Sequence, residues 1–147
     1  MYDIAKAELA VTRQRNILFF GIAATLVFQV TGIQSALAQH QSVADDHDDI
    51  VRVLRETAAR ADAVLVSGGL GPTSDDLTAA AAAKAFGRPL IRFDEALEHV
   101  RCFFARRGRE MSANNIKQAD LPAGCTVLAN YRGTAPGFAA NFSRALM

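Results

Sequence analysis

A chain of 147 residues with 50% hydrophobic content is long enough to bury one core, so the sequence predicts one globular domain. The formal net charge of +1 excludes the broadly basic surface by which many proteins bind nucleic acid. The two cysteines, Cys102 and Cys125, lack metal-ligand spacing and are interpreted as isolated thiols. Isolated thiols fit a reducing compartment and a cytoplasmic location.

An apolar segment at residues 17–38 has three alternative roles. It carries no Asp, Glu, Lys or Arg, two arginines (Arg13 and Arg15) precede it, and Ala36 and Ala38 form an A-x-A pattern at its end. This layout is typical of a secretory signal peptide, and the length is also close to a bilayer span. The third interpretation is a buried strand or helix of the core. We therefore treat residues 1–41 as an atypical N-terminal segment, which is part of the core or serves export or membrane attachment.

An acidic cluster at residues 45–49 precedes a helical pattern. Ile50, Leu54, Ala58 and Ala61 recur at helical spacing, so part of the cluster is expected to cap the helix and to occupy its first turn. Four carboxylates in five residues are also compatible with a cation site. His47 lies among them, but the chain offers no second histidine at ligand spacing, so we interpret it as polar surface.

The centre of the chain reads as a strand, a glycine loop and a helix. Residues 63–66 are apolar and partly β-branched, which predicts a strand buried on both faces. The loop that follows contains Gly68, Gly69 and Gly71, which allow backbone amides to approach a ligand. Asp75 and Asp76 are predicted to open the alanine-rich helix after the loop.

Two opposed charges meet in this loop. Backbone amides and a helix N-terminus favour an anion such as phosphate, whereas two carboxylates repel it. A Mg²⁺ ion bridging carboxylate and phosphate resolves the conflict. The alternative is a helix cap after a tight turn, because the loop is neither a Walker loop nor a G-x-G-x-x-G fingerprint.

The rest of the chain alternates between helices and strands. A helix is predicted after Asp94, a short helix after Ser112, a strand at Thr126–Leu128 and a second glycine loop at residues 130–137. This alternation predicts an α/β domain with a largely parallel sheet, in which ligands bind beyond the carboxyl ends of the strands. Four arginines near the end of the first of these helices are interpreted as surface charge or as a phosphate or subunit contact: Arg101, Arg106, Arg107 and Arg109.

Three motifs resemble a known family. They are SGGLGPTSDDLT (residues 67–78), FFARRGREMSANNIKQADLPAG (103–124) and NYRGTAPGF (130–138). In this order they resemble the N-terminal domain of the competence/damage-inducible protein A (CinA) family, over residues 42–138. That domain is similar to the molybdopterin-binding fold of molybdenum-cofactor biosynthesis proteins. The resemblance implies a three-layer α/β/α sandwich with a mostly parallel sheet, a homo-oligomer, and a pocket for a phosphate-bearing pterin or nucleotide.

The resemblance also implies roles for individual residues. Some family members hydrolyse ADP-ribose with a divalent cation, so Asp76 and Asp45 would be catalytic and Asp75 and Asp76 would bind the metal. The residues that would bind phosphate are Ser67, Gly68, Gly69, Gly71, Thr73, Thr78, Gly133 and Thr134. The residues that would bind the rest of the substrate are Asn114, Asn115, Gln118, Pro136 and Gly137.

The sequence departs from the family pattern at both ends. The Gly-Thr-Glu-Leu-Leu type turn that follows the family's first strand is missing before Asp45, and the family supplies another strand after Phe138. We therefore expect residues 42–147 to form a truncated α/β domain. Three alternatives remain for its function. The domain hydrolyses a nucleotide diphosphate such as ADP-ribose with a metal, binds molybdopterin or a nucleotide without catalysis, or is an inactive relative of the family.

Overall fold

The computed structural model describes residues 16–20, 41–61 and 63–141. Its helices are α1 (His47–Arg60), α2 (Thr78–Ala85), α3 (Asp94–Ala105) and a 3-10 helix (Ala113–Ala119). Its strands are β1 (Asn16–Phe20), β2 (Ala63–Ser67), β3 (Leu90–Arg92), β4 (Asp120–Pro122), β5 (Thr126–Leu128) and β6 (Gly137–Asn141). The mixture of helices and strands confirms the predicted α/β class.

A mixed four-stranded sheet has the strand order β2-β1-β6-β5. β1 runs parallel to β2, with Leu18 opposite Leu65, and antiparallel to β6, with Phe19 opposite Phe138. β5 and β6 are antiparallel, and so are β3 and β4 in a separate two-stranded sheet. Among the described strand pairs, the parallel majority expected from the sequence is therefore not found. Only residues 129–136 join β5 to β6, and so short a connection favours an antiparallel pair, whereas a parallel pair needs a longer crossover.

The apolar N-terminal segment is described only where it begins. Residues 16–20 form β1, which lies between β2 and β6, so this part of the segment is a strand of the sheet. Residues 21–38 lie outside the described residues, so their role in export or membrane attachment stays a prediction. Within residues 16–20, 41–61 and 63–141, no helix combines the length and the apolar character that a membrane span requires.

Helices α1 and α2 build one side of the core. Ala81 and Ala82 of α2 are fully buried, and their small side chains allow α1 to approach α2 closely. Val51 and Leu54 of α1 belong to the same cluster, and so does Phe138 of β6. The core therefore holds the start of α2, and with it the glycine loop, against the sheet.

Strand β2 is buried on one face rather than on both. Val64 belongs to the core, whereas Leu65 is 61% exposed. Successive side chains of a strand point to opposite faces, so Val64 faces the core while Leu65 lies on the other face of the sheet. The sequence prediction of a strand buried on both faces was wrong for this reason.

The predicted helix starts are partly confirmed. Asp46 caps α1, accepting hydrogen bonds from the amides of Asp48 (3.0 Å) and Asp49 (2.9 Å), as expected for part of the acidic cluster. In contrast, α2 begins at Thr78, and its N-cap is Leu77. Asp75 and Asp76 thus lie before α2, and the prediction that they open this helix was wrong.

Candidate functional site

The glycine loop between β2 and α2 is tied together by Thr78. The Thr78 amide donates to the Gly69 carbonyl (3.0 Å), and the Thr78 hydroxyl donates to the Gly68 carbonyl (2.9 Å). A Cβ atom at Gly69 would lie 3.1 Å from Thr78 Cβ, and the φ of Gly69 is +66°. Glycine at this position therefore makes room for Thr78, the first residue of α2.

The Asp76 carboxylate occupies the interior of the loop. Its Oδ2 atom accepts hydrogen bonds from the amide (2.9 Å) and the hydroxyl (2.6 Å) of Thr73, and the carboxylate also accepts from the Gly71 amide. A Cβ atom at Gly71 would lie 2.8 Å from Asp76 Cγ. Two of the amides predicted to bind an external anion are thus bound by an anion of the chain.

Two carboxylates converge on the hydroxyl of Thr73. This hydroxyl contacts Asp75 Oδ1 as well as Asp76 Oδ2. Because a hydroxyl has a single proton, it donates to one of these two carboxylate oxygens at a time. The other carboxylate oxygen then faces a lone pair of the hydroxyl oxygen, with no proton between them. Three oxygen ligands are therefore gathered at one point of the loop.

Both loop carboxylates stay ionised at neutral pH. The Thr73 hydroxyl and the amide of Asp75 itself lower the pKa of Asp75. Burial raises the pKa of Asp76, but hydrogen bonds from Thr73 and Gly71 outweigh this effect, so the pKa of Asp76 is also lowered. The loop thus carries two negative charges next to its amides.

Lys117 joins the 3-10 helix to this loop, and the sequence analysis did not assign it a role. Its Nζ atom donates to the carbonyl of Asp76 (2.9 Å) and to the carbonyl of Thr73. The signal that could have revealed it is the spacing in the motif NNIKQ. In a 3-10 helix, residues i and i+3 lie above one another, so Asn114 shares a face with Lys117 and Asn115 shares one with Gln118.

The Asn115 and Gln118 face is buried. Asn115 Nδ2 donates to the Ser112 hydroxyl (2.7 Å), and Gln118 Nε2 donates to the Thr134 hydroxyl (2.9 Å). Gln118 is only 4% exposed, and its Oε1 has no hydrogen-bond partner within the described part of the chain. The structure thus brings Gln118 and Thr134 together, although the sequence assigned them to different parts of the ligand.

The second glycine loop is organised by Asn130. Its Oδ1 accepts from the amides of Arg132 (3.1 Å) and Gly133 (3.0 Å), and its Nδ2 donates to the Ala135 carbonyl (2.9 Å). The Gly133 amide is therefore occupied by Asn130. Pro136 is buried and Gly137 begins β6.

A cavity of about 390 Å³ lies between the first loop and the 3-10 helix. Pro72, Asn114 and Lys117 line it, and so does the ion pair of Arg92 and Asp120, in which two hydrogen bonds measure 2.8 and 2.9 Å. Among the residues assigned to substrate binding from the sequence, Asn114 is the one that lines this cavity. The cavity borders the glycine loop at Pro72.

The acids at the start of α1 form ion pairs on the surface of the protein. Asp48 pairs with Lys84 (2.8 Å), and Asp49 pairs with Arg52 (3.0 Å). No group of three or more His, Cys, Asp or Glu side chains that could hold a metal occurs in the described ranges. Asp45 therefore does not join Asp75 and Asp76 in such a group.

The oxygen atoms around Thr73 fit a hard divalent cation. Mg²⁺ binds through one or two carboxylates and keeps several waters or substrate oxygens as further ligands. Asp75 and Asp76 would supply the carboxylates for such an ion, and the Thr73 hydroxyl would supply a neutral oxygen beside them. This donor set lacks nitrogen and sulfur, so it suits magnesium better than zinc.

Comparison with known proteins places the chain in a family. The family described as "Probable molybdopterin binding domain" matches residues 22–146. A "CinA-like protein" of Escherichia coli O9:H4 (strain HS) is 47% identical over 111 residues, which are 76% of this chain and 28% of that relative. The "NMN amidohydrolase-like protein YfaY" of Escherichia coli (strain K12) gives the same values. The chain thus spans about a quarter of the length of the curated relatives that it matches.

A solved structure supports the same assignment. The crystal structure of CinA from Thermoplasma acidophilum, described as a protein with unknown function, has a TM-score of 0.58 and 35% sequence identity to this chain. The match covers 64% of this chain and 54% of the Thermoplasma chain. The chain accordingly belongs to the probable molybdopterin binding domain family and is a CinA-like member of it.

Proposed function

We propose that the glycine loop binds the phosphate group of a small molecule, a pterin or a nucleotide, together with a divalent cation. The observation that carries this proposal is the convergence of Asp75, Asp76 and Thr73 in a loop of backbone amides at the carboxyl end of β2. Ligands of α/β domains bind beyond the carboxyl ends of strands. The family to which the chain belongs supports a pterin or a nucleotide as the ligand.

Gly68 offers the open side of the loop. Within the residues that the structure describes, no atom lies within 4 Å of a Cβ built at this residue, in contrast to Gly69 and Gly71. A phosphate approaching from this side would meet backbone without a side chain in the way. The predicted phosphate role is therefore best supported for Gly68, whereas Gly69 and Gly71 are explained by contacts within the loop.

The reaction that we propose is hydrolysis of a diphosphate such as ADP-ribose into two phosphomonoesters. Asp75, Asp76 and Thr73 would hold the cation, which when bound would neutralise the diphosphate and lower the pKa of a bound water. Lys117 holds the loop carbonyls in place, and the cavity beside Pro72 has room for part of the organic group. The name of the Escherichia coli relative YfaY refers to a nucleotide amidohydrolase. It supports a nucleotide as the ligand but does not bear on hydrolysis of the diphosphate bond.

Turnover of ADP-ribose with Mg²⁺ tests the catalytic proposal. Asp76→Ala should abolish Mg²⁺-dependent turnover, because it removes a carboxylate of the cation site. The control is Asp48→Ala, which removes an exposed carboxylate that pairs with Lys84 on the surface and should leave turnover unchanged. Unchanged turnover in Asp76→Ala would remove Asp76 from the mechanism.

A second candidate is non-catalytic binding of molybdopterin or a nucleotide. The observation that favours it is the absence, among the described residues, of a third acidic, histidine or cysteine side chain grouped with Asp75 and Asp76. Such a group would be the usual general base for attack by water. Calorimetry that detects binding while chromatography detects no product would support this candidate over hydrolysis.

A further inference from the structure

Two backbone amides of the loop, beside the open side at Gly68, are already bound by a carboxylate of the chain. The amides of Gly71 and Thr73 both donate to the Asp76 carboxylate, and the Thr73 amide lies 2.9 Å from Oδ2. Each amide has one proton to donate. Neither amide can therefore bind a phosphate oxygen well while Asp76 stays in this position.

Space and charge lead to the same conclusion. The Asp76 carboxylate packs so closely on Gly71 that a Cβ at Gly71 would lie 2.8 Å from Asp76 Cγ and 2.9 Å from Oδ1. A phosphate oxygen would have to enter this same space. The ionised carboxylate would also repel the phosphate at contact distance, where the repulsion is least screened.

We propose that Asp76 is an internal competitor of the ligand, which occupies the phosphate position of the free protein and must leave it when phosphate binds. This inference rests on the proposed function, because it concerns the same loop. A divalent cation gives the released carboxylate a new partner. Cation and phosphate would therefore bind cooperatively, each favouring the loop conformation that the other needs.

The inference predicts an unusual effect of mutation. If Asp76 only bound metal or only supported the loop, its loss would strengthen phosphate binding no more than the loss of the neighbouring charge of Asp75. If Asp76 competes with phosphate, its loss should strengthen binding in the absence of metal. Asp75 is the matched control, since it contacts the Thr73 hydroxyl and neither of the two amides that the competitor occupies.

The experiment is a titration of the full chain with inorganic phosphate in EDTA, followed by the NMR shifts of the Gly71 and Thr73 amides. Asp76→Asn and Asp75→Asn each remove one charge and keep the shape of the side chain. We expect Asp76→Asn to bind phosphate several-fold more tightly than Asp75→Asn. In Asp76→Ala, which leaves no acceptor, we expect a gain of about tenfold over wild type, the worth of roughly one hydrogen bond to a charged group.

The outcomes separate this inference from the proposed function. Equal affinities of the two Asn variants would mean that only net charge matters and would overturn the competitor role, as would weaker binding by a folded Asp76→Asn. In both cases ADP-ribose binding by the wild type with Mg²⁺ would leave the proposed function intact. Absence of phosphate binding in every variant, and of ADP-ribose binding with Mg²⁺, would refute both.

Discussion

Lys117 offers the sharpest structural prediction, because a second lysine serves as its control. Lys117→Met removes the charged donor from the carbonyls of Thr73 and Asp76 and leaves the aliphatic part of the side chain. Lys84→Met removes the same charge from an exposed pair with Asp48. The two variants differ mainly in the partner that the ammonium group loses, which is a pair of loop carbonyls for Lys117 and an exposed carboxylate for Lys84.

The expected magnitude follows from the contacts. A hydrogen bond to a charged group contributes roughly 1.5–3 kcal/mol where water is excluded. Because Lys117 is exposed, water compensates for much of the lost hydrogen-bond energy in the variant. We therefore expect a total loss of about 1–2 kcal/mol in the free energy of unfolding. For a chain of this size, that loss lowers Tm by roughly 2–8 °C.

Urea unfolding and thermal melts followed by circular dichroism measure the effect. Lys117→Met should lower both the urea midpoint and Tm, whereas Lys84→Met should be close to wild type, since exposed ion pairs contribute little. Lys117→Arg keeps the charge and should recover part of the loss. If the two methionine variants melt at the same temperature, Lys117 does not hold the loop and the description of the site is wrong.

Three further predictions concern the loop and the thiols. Gly71→Ala should destabilise the wild type by roughly 1–3 kcal/mol through the clash with Asp76, and this cost should nearly vanish in an Asp76→Ala background, as a double-mutant cycle in urea would measure. The lowered pKa values of Asp75 and Asp76 add stability that is complete above the ordinary pKa of 3.8 and is lost as the pH falls through the lowered pKa values of the folded protein. Asp76→Asn should therefore reduce the fall of Tm with decreasing pH in the acid range. An acid dependence of Tm equal to that of the wild type would contradict this prediction. Partial burial raises the pKa of Cys125 to about 11, so iodoacetamide at about pH 8.5 should alkylate it far more slowly than free cysteine, and equal rates by mass spectrometry would contradict the raised pKa.

Local patterns predicted the elements that are stabilised locally. The periodicity after Asp46 predicted α1 and its cap, and the β-branched run at residues 63–66 predicted β2. Thr126–Leu128 is confirmed as a strand with the predicted bounds. In these segments, the side-chain pattern and the final packing favour the same structure.

Polar contacts that apolar periodicity does not reveal decided the rest. Two acids before an alanine run are typical of a helix start, but the hydrogen bonds of Asp76 to Thr73 and Gly71 hold it in the loop instead. A threonine followed by an aspartate three residues later, as in Thr73 and Asp76, is a local signal for such a turn. The contacts of Lys117 join residues more than forty positions apart, so the spacing in NNIKQ places Lys117 on a helix face but does not identify its partners.

The proposed homo-oligomer and the proposed cation remain predictions that solution experiments can test. The measurement that bears most directly on the central claim is calorimetric titration of the full chain with ADP-ribose, with Mg²⁺ and with EDTA. Our account predicts saturable binding that is much tighter with Mg²⁺ and that loses this dependence when Asp75 and Asp76 are both changed to Asn. Binding that is equally tight in EDTA, or unaffected by these substitutions, would contradict a phosphate and cation site in the glycine loop.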